Sequence, residues 1–206
     1  MKKNFCIVFI ITLIITIACY MMYINFDRLT DVQIEALRDE YPICFGEPYG
    51  VSMIYPSLED ITSIADTFVY AKIVGDVKRY TIDISVENDA LEEKHKQYGI
   101  SNTYEFYEYT LEIIRDTEKQ FTRSNGQTIT IVANSMFEEY YPVLKKDMRV
   151  VVPVHKRNDN KYDYTKYGFY YVTEDDYVLS AFEESSISSK SGIKINSLMD
   201  QLKKQS

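Results

Sequence analysis

The sequence predicts a mainly β domain: a barrel or sandwich of six or seven strands, with short helices before and after it, behind one membrane-spanning helix. Three observations carry this. Residues 5–26 form a run without a single charge. From Asp66 onward, segments rich in β-branched and aromatic residues alternate in polarity with period two. Turn signals at Gly75, Asn125-Gly126 and Glu174-Asp175-Asp176 separate those segments. At 206 residues the chain suits one domain plus an anchor. Seven glycines and five prolines exclude a collagen-like or low-complexity chain.

The run FCIVFIITLIITIACYMMYINF, residues 5–26, spans about 33 Å as a helix, enough for the hydrocarbon core. Lys2 and Lys3 precede it, which favours a cytoplasmic N-terminus over residues 1–4. Tyr20, Tyr23 and Phe26 suit the far interface. The expected protein is therefore single-pass in the cytoplasmic membrane, with its C-terminal domain outside. Two alternatives stand beside an uncleaved anchor. A cleaved signal peptide would have a shorter apolar run and an A-x-A site. Lipid attachment at Cys19 has the small residue Ala18 before it, but Thr16 stands where a lipobox places Leu.

The net charge is −8, and without Lys2 and Lys3 the remainder carries −10. This argues against nucleic acid and against docking on anionic lipid by charge. Of three cysteines, Cys6 and Cys19 lie in the apolar run and only Cys44 lies beyond it. A disulfide scaffold is excluded, and Cys44 reads as a small buried hydrophobe.

Residues 27–56 read as a juxtamembrane helix and loop. Thr30 and Gln33 have capping-box spacing, and Ile34, Leu37 and Tyr41 fall at helical spacing before Pro42. Gly46, Pro48 and Gly50 mark the loop. The barrel domain is placed at 57–206. Ser57, with Asp60 three residues on, caps a helix whose apolar face is Leu58, Ile61 and Ile64. The run from Thr67 to Val77 is a strand with Val69, Ala71 and Ile73 on one face, bent at Gly75; Tyr80 to Val86 is the next. A polar insertion, 87–103, has room for a helical turn.

A long strand follows from Tyr104 to Ile114, with Tyr107, Tyr109, Leu111 and Ile113 facing the core. Gln127–Ala133 and Met148–His155 are further strands, the latter with Pro153 marking an edge or bulge. Residues 156–166 read as a polar hairpin loop, and Tyr167–Thr173 and Tyr177–Phe182 as two more strands. A Ser-rich connector, 185–192, leads to a helix near 196–204, where Ile195, Leu198, Met199 and Leu202 form an amphipathic stripe.

The search for chemistry gives little. His95 and His155 are not at metal-ligand spacing, and no phosphate-cradling or nucleophile-elbow pattern occurs. Adjacent acids at 138–139, 175–176 and 183–184 read as solvated turns. Residues 158–163, NDNKYD, miss the calcium-loop pattern because Lys161 takes a ligand position. No cofactor, metal or catalytic residue is assigned. The unusual feature is aromatic: 19 tyrosines, 10 phenylalanines and no tryptophan. Tyr104, Phe106, Tyr162, Tyr164, Tyr167 and Tyr170 form the candidate interaction surface, since tyrosine offers rigid amphipathic contact area.

The order of features resembles that of exported, membrane-anchored Gram-positive proteins of unassigned function. The resemblance rests on Ser57-Leu-Glu-Asp-Ile, the Ala65-Asp66 pair, the Ile129-Thr-Ile-Val132 strand, Pro142-Val-Leu-Lys-Lys-Asp147 before an apolar strand, and Ile195-Asn-Ser-Leu-Met-Asp200. It covers about 57–204. It implies an OB-like, five-stranded barrel related to the netrin-like fold of metalloproteinase inhibitors. Lys146 departs from the Gly of many relatives, and the inhibitors' N-terminal Cys and disulfides are missing here. Protease inhibition is therefore not carried over, and the resemblance implies a barrel used for binding.

Together these readings give an OB-like barrel of five to seven strands on a membrane anchor. The expected function is an extracellular binding module that meets an envelope protein or cell-wall partner, without catalysis. The alternative is a cell-envelope hydrolase with a dispersed active site.

Overall fold

The computed structural model describes residues 27–44, 57–83, 88–99, 102–118, 126–182 and 190–205, with Thr16 and Phe121. The anchor run apart from Thr16, Cys19, the loop at Gly46–Gly50 and most of the Ser-rich connector lie outside the described residues. Among the described residues no helix is long and apolar enough to cross a membrane.

Thr30 caps helix α1, Asp31–Ala36, in a full capping box with Gln33. Helix α2, Leu58–Ile64, starts on a second capping box formed by Ser57 and Asp60. Strand β1 runs from Thr67 to Asp83, helix α3 from Asp89 to Gln97, and strand β2 from Thr103 to Asp116. Strand β3 is Thr128–Asn134, followed by a 3-10 turn at Ser135–Tyr140. Then come β4, Arg149–Lys156, β5, Tyr162–Tyr164, β6, Tyr170–Val172, and β7, Val178–Ser180. Helix α4, Ile195–Gln205, closes the order.

Five strands close on themselves in the order β1-β2-β3-β5-β4, because β1 pairs with β2 on one edge and with β4 on the other. Pairing is antiparallel except between β3 and β5. β6 and β7 extend the sheet from β4. The result is a mainly β fold with a closed five-stranded barrel and added strands, compatible with an OB-like barrel.

Period-two alternation builds two cores. Val69, Ala71, Ile73, Leu111, Ile131, Val150, Val152 and Val154 fill the barrel interior with Phe169 and Tyr171. The other parity, Phe68, Tyr70, Val151, Tyr170 and Val172, faces outward under Leu58 and Ile61 of α2 and Ile195, Leu198, Met199 and Leu202 of α4. The strands under the helices are thus apolar on both faces, which explains the unbroken Val150-Val151-Val152 run. Cys44 sits in the outer core, its thiol donating to the Ala181 carbonyl at 3.0 Å.

Several expectations shift in detail. The strand read at 67–77 and the described part, 80–83, of the one read at 80–86 form a single strand, β1, with a register shift between Val74 and Lys78 where Gly75 adopts φ 74°; residues 84–86 lie outside the described residues. The 156–166 segment is not a plain loop: it holds β5, the strand that closes the barrel. Pro153 lies within β4 opposite Phe68. The carbonyls of Met148 and Val154 face β1, so Pro153 faces the other edge. There the partner changes from β6, which ends opposite Val151, to β5, which starts opposite Val154. No ladder donor is needed at the switch, and proline fits. Lys146 needs no glycine, because the left-handed residue is Asp147 at φ 71°.

Candidate binding groove

A groove of about 290 Å³ opens where the chain enters the barrel, between the end of α2 and the β4–β5 corner. Its position follows from α2. The helix has apolar residues at Leu58, Ile61 and Ile64, but the outer core covers only the first two. Ile64 stands beyond the packed surface and is 70% exposed. Ala65, Pro153, Val154, Tyr164 and Tyr167 complete the apolar lining. Pro153 leaves its edge without an N–H at this place, so the floor presents ring carbons where a strand would present a donor.

The rim is polar. The Asp66 carboxylate accepts the Lys156 N–H at 2.7 Å through Oδ2, and its Oδ1 faces His155 Nδ1 at 3.3 Å. The His155 side chain is largely exposed. Asp163 pairs with Arg157 at 3.0 Å, and Arg157 also reaches Asp159 at 3.3 Å, which rigidifies the β4–β5 turn. Thr165 accepts the Tyr167 N–H at 3.2 Å. Burial holds the Tyr164 phenol well above its ordinary value, so it lines the groove as a neutral group. Among the described residues no group of three His, Cys, Asp or Glu is placed to hold a metal ion.

The six aromatic residues singled out from the sequence do not form one surface. Tyr164 and Tyr167 come together at the groove, each with most of its ring in a core, Tyr167 edge-on to Phe182 at 5.0 Å. Tyr162 is half-buried and packs edge-on to Phe121 at 5.9 Å. Tyr104 and Phe106 lie on the outer half of β2, where Phe106 stacks on Tyr80 at 5.5 Å. Tyr170 is fully buried beneath α4 and offers nothing to a partner. β6 is covered on both faces, so its tyrosines act as core residues. Reading the tyrosine-rich stretch as one exposed face missed that cover.

Ile61, Ile64, Ala65, Pro153 and Val154 are the apolar groove residues that the aromatic signal did not mark. Ile64 was legible as part of an apolar helix face, and its exposure depends on where the barrel wall ends. His95 and the acids at 138–139 and 175–176 take no part: His95 bonds Asn102 at 2.7 Å, Glu138 accepts the Tyr107 hydroxyl at 2.8 Å and Asp176 pairs with Arg149, while the pair at 183–184 lies outside the described residues. A comparison with protein-family models finds no match to this chain, and a search of curated proteins finds none either.

Proposed function

We propose that the chain is a membrane-anchored extracellular binding module that uses the α2–β4–β5 groove to hold an apolar side chain of a protein partner. The observation that carries this reading is the exposed Ile64 beside a concave apolar floor. A concave apolar site with a few polar groups at its rim is the usual form of a binding pocket. Asp66 and Asp163 at that rim, on a chain of net charge −8, favour a partner segment with a cation next to its apolar anchor. The apolar run 5–26 supports anchoring, and Lys2 and Lys3 support an outward barrel.

Topology is tested by replacing Cys44 with Ser and Ser206 with Cys, then labelling intact cells with a membrane-impermeant maleimide. Labelling without lysis is expected; labelling only after lysis removes the extracellular reading. The groove is tested by a photocrosslinking residue at Ile64 in the full chain. One discrete adduct is expected that disappears with Asp163→Lys. The same adducts from a probe at exposed Tyr98, beyond α3, would count against the groove.

A further inference from the structure

The outer half of β1, Lys78–Asp83, leaves the barrel. β4 pairs with β1 only as far as Lys72, while β2 continues alongside it from Lys78 to Asp83. β3 stays paired with β2 as far as Phe106, opposite Tyr80, and beyond it β1 and β2 run on as a two-stranded ribbon; every β1 residue from Gly75 to Asp83 except Tyr80 is exposed. The remaining edge of β1 carries no strand among the described residues. Its hydrogen-bonding phase is fixed by the partner strand. Ile113 donates to Gln127 on the β3 side, and the β2–β3 register is unbroken from Phe106 to Glu112. Tyr104, Phe106 and Glu108 of β2 therefore face β1, bonded to Ile82, Tyr80 and Lys78. The N–H and C=O groups of Arg79, Thr81 and Asp83 point outward from the open edge.

An open, regular strand edge is a template for another strand, and soluble proteins normally blunt it. This edge carries opposite charges at its two ends, Arg79 and Asp83, two residues either side of Thr81. We propose that two copies of this chain pair through this edge, antiparallel, with Thr81 opposite Thr81 on a two-fold axis. Such an axis, perpendicular to the sheet, maps each face onto itself, so a residue meets one of its own parity. Centring on Thr81 sets Arg79 opposite Asp83 twice and Tyr80 opposite Ile82 twice. Opposite charges and aromatic–β-branched pairs are the favourable cross-strand combinations. Centring on Tyr80 sets Lys78 against Ile82 and Arg79 against Thr81, and centring on Arg79 sets two guanidinium groups face to face. Only the Thr81 register satisfies all the outward groups and both charges, with on the order of six ladder hydrogen bonds. The interface is small, so the dimer is expected to be concentration-dependent.

The test uses the full chain in detergent, with mass followed by sedimentation across a concentration series. Wild type is expected to pass from monomer to dimer. Arg79→Asp alone and Asp83→Arg alone each place like charges opposite one another and are expected to weaken dimerisation at least tenfold. Mixed together, the two variants are expected to form a heterodimer at least as readily as wild type dimerises. One variant then brings acids at both positions, the other brings guanidinium groups at both, and each acid faces a guanidinium across the pair. That recovery cannot come from misfolded variants. A wild type that stays monomeric at the highest concentration overturns the proposal. So does a dimer indifferent to both substitutions, which would sit elsewhere, or a mixture that fails to recover, which would point to a different register or an extended segment of another protein.

Discussion

The inner and outer halves of β1 are the same strand put to opposite uses. From Thr67 to Ile73 it has strands on both edges and a core on each face, and its apolar residues are almost wholly buried. From Lys78 to Asp83 it has one partner strand and solvent on most sides. The change falls at Gly75, whose positive φ and accompanying register shift carry the strand past the end of the barrel wall. The body gains stability from doubly buried strands. The outer half is held by cross-strand pairs, Tyr80 stacked on Phe106 and Arg79 over Tyr107 at 4.8 Å, and by Lys161 of the β4–β5 turn, which reaches both Tyr80 and Glu108. Burial is what separates a structural strand from one left available for contact.

That contrast makes graded predictions. The largest effect is expected in the body. Phe169 is fully enclosed in the barrel core, and Phe169→Ala should lower unfolding free energy by about 3–5 kcal/mol, read by denaturant titration. Tyr80→Ala in the outer half removes one ring stack and should stay within about 1.5 kcal/mol. Equal losses would erase the distinction.

Two glycines sharpen it. Both Gly75 and Gly168 have positive φ, so alanine at either brings about 1–2 kcal/mol of backbone strain. At Gly168 an added Cβ would also meet the Phe68 ring at 3.2 Å and Ile61 at 3.4 Å, whereas at Gly75 it meets nothing within 4 Å. Gly168→Ala should therefore be worse by about 1–3 kcal/mol, measured the same way.

Alkali should attack the body selectively. Burial, helped by a hydrogen bond to Glu40, pushes the Tyr41 phenol up to about 12, and burial does the same at Tyr109 with Glu138 nearby. The unfolded chain ionises near 10, so these groups contribute fully below pH 10, and their contribution is lost as pH rises through 12. Denaturant midpoints should stay level to about pH 10 and then fall. Tyr41→Phe should make the fall shallower, by at most about 1.4 kcal/mol per pH unit. A midpoint already declining at pH 8 would contradict this. The smallest effect is expected at the groove: Ile64→Ser should change stability by no more than about 0.5 kcal/mol, read by the same denaturant titration.

The sequence made the body readable and the surface less so. Periodicity correctly sorted Val69, Ala71 and Ile73 from Phe68 and Tyr70, and both capping boxes marked their helices. The α4 stripe of Ile195, Leu198, Met199 and Leu202 was equally plain, since burial imposes a period that local sequence records. β5 was missed because a three-residue strand in a polar segment has no period of its own. It exists because β3 and β4 leave two open edges that Tyr162–Tyr164 can fill. α3 was read as a single turn because it buries no side chain and so shows no apolar stripe. The groove was invisible for a similar reason: it depends on where α2 outruns the barrel wall and on Pro153 at a change of strand partner. Tyrosine content misled in the other direction, since a phenol suits a doubly covered strand as well as a surface.

Hydrogen exchange of the full chain at low concentration, resolved along β1, tests the division between its inner and outer halves most directly. The amides of Val69, Ala71 and Ile73 should exchange only with global unfolding, while those of Arg79, Thr81 and Asp83 should exchange near the rate of free peptide, with Tyr80 and Ile82 between. Uniform slow exchange from Val69 to Asp83 would contradict the account, because it would mean that the outer half of β1 is covered like the inner half.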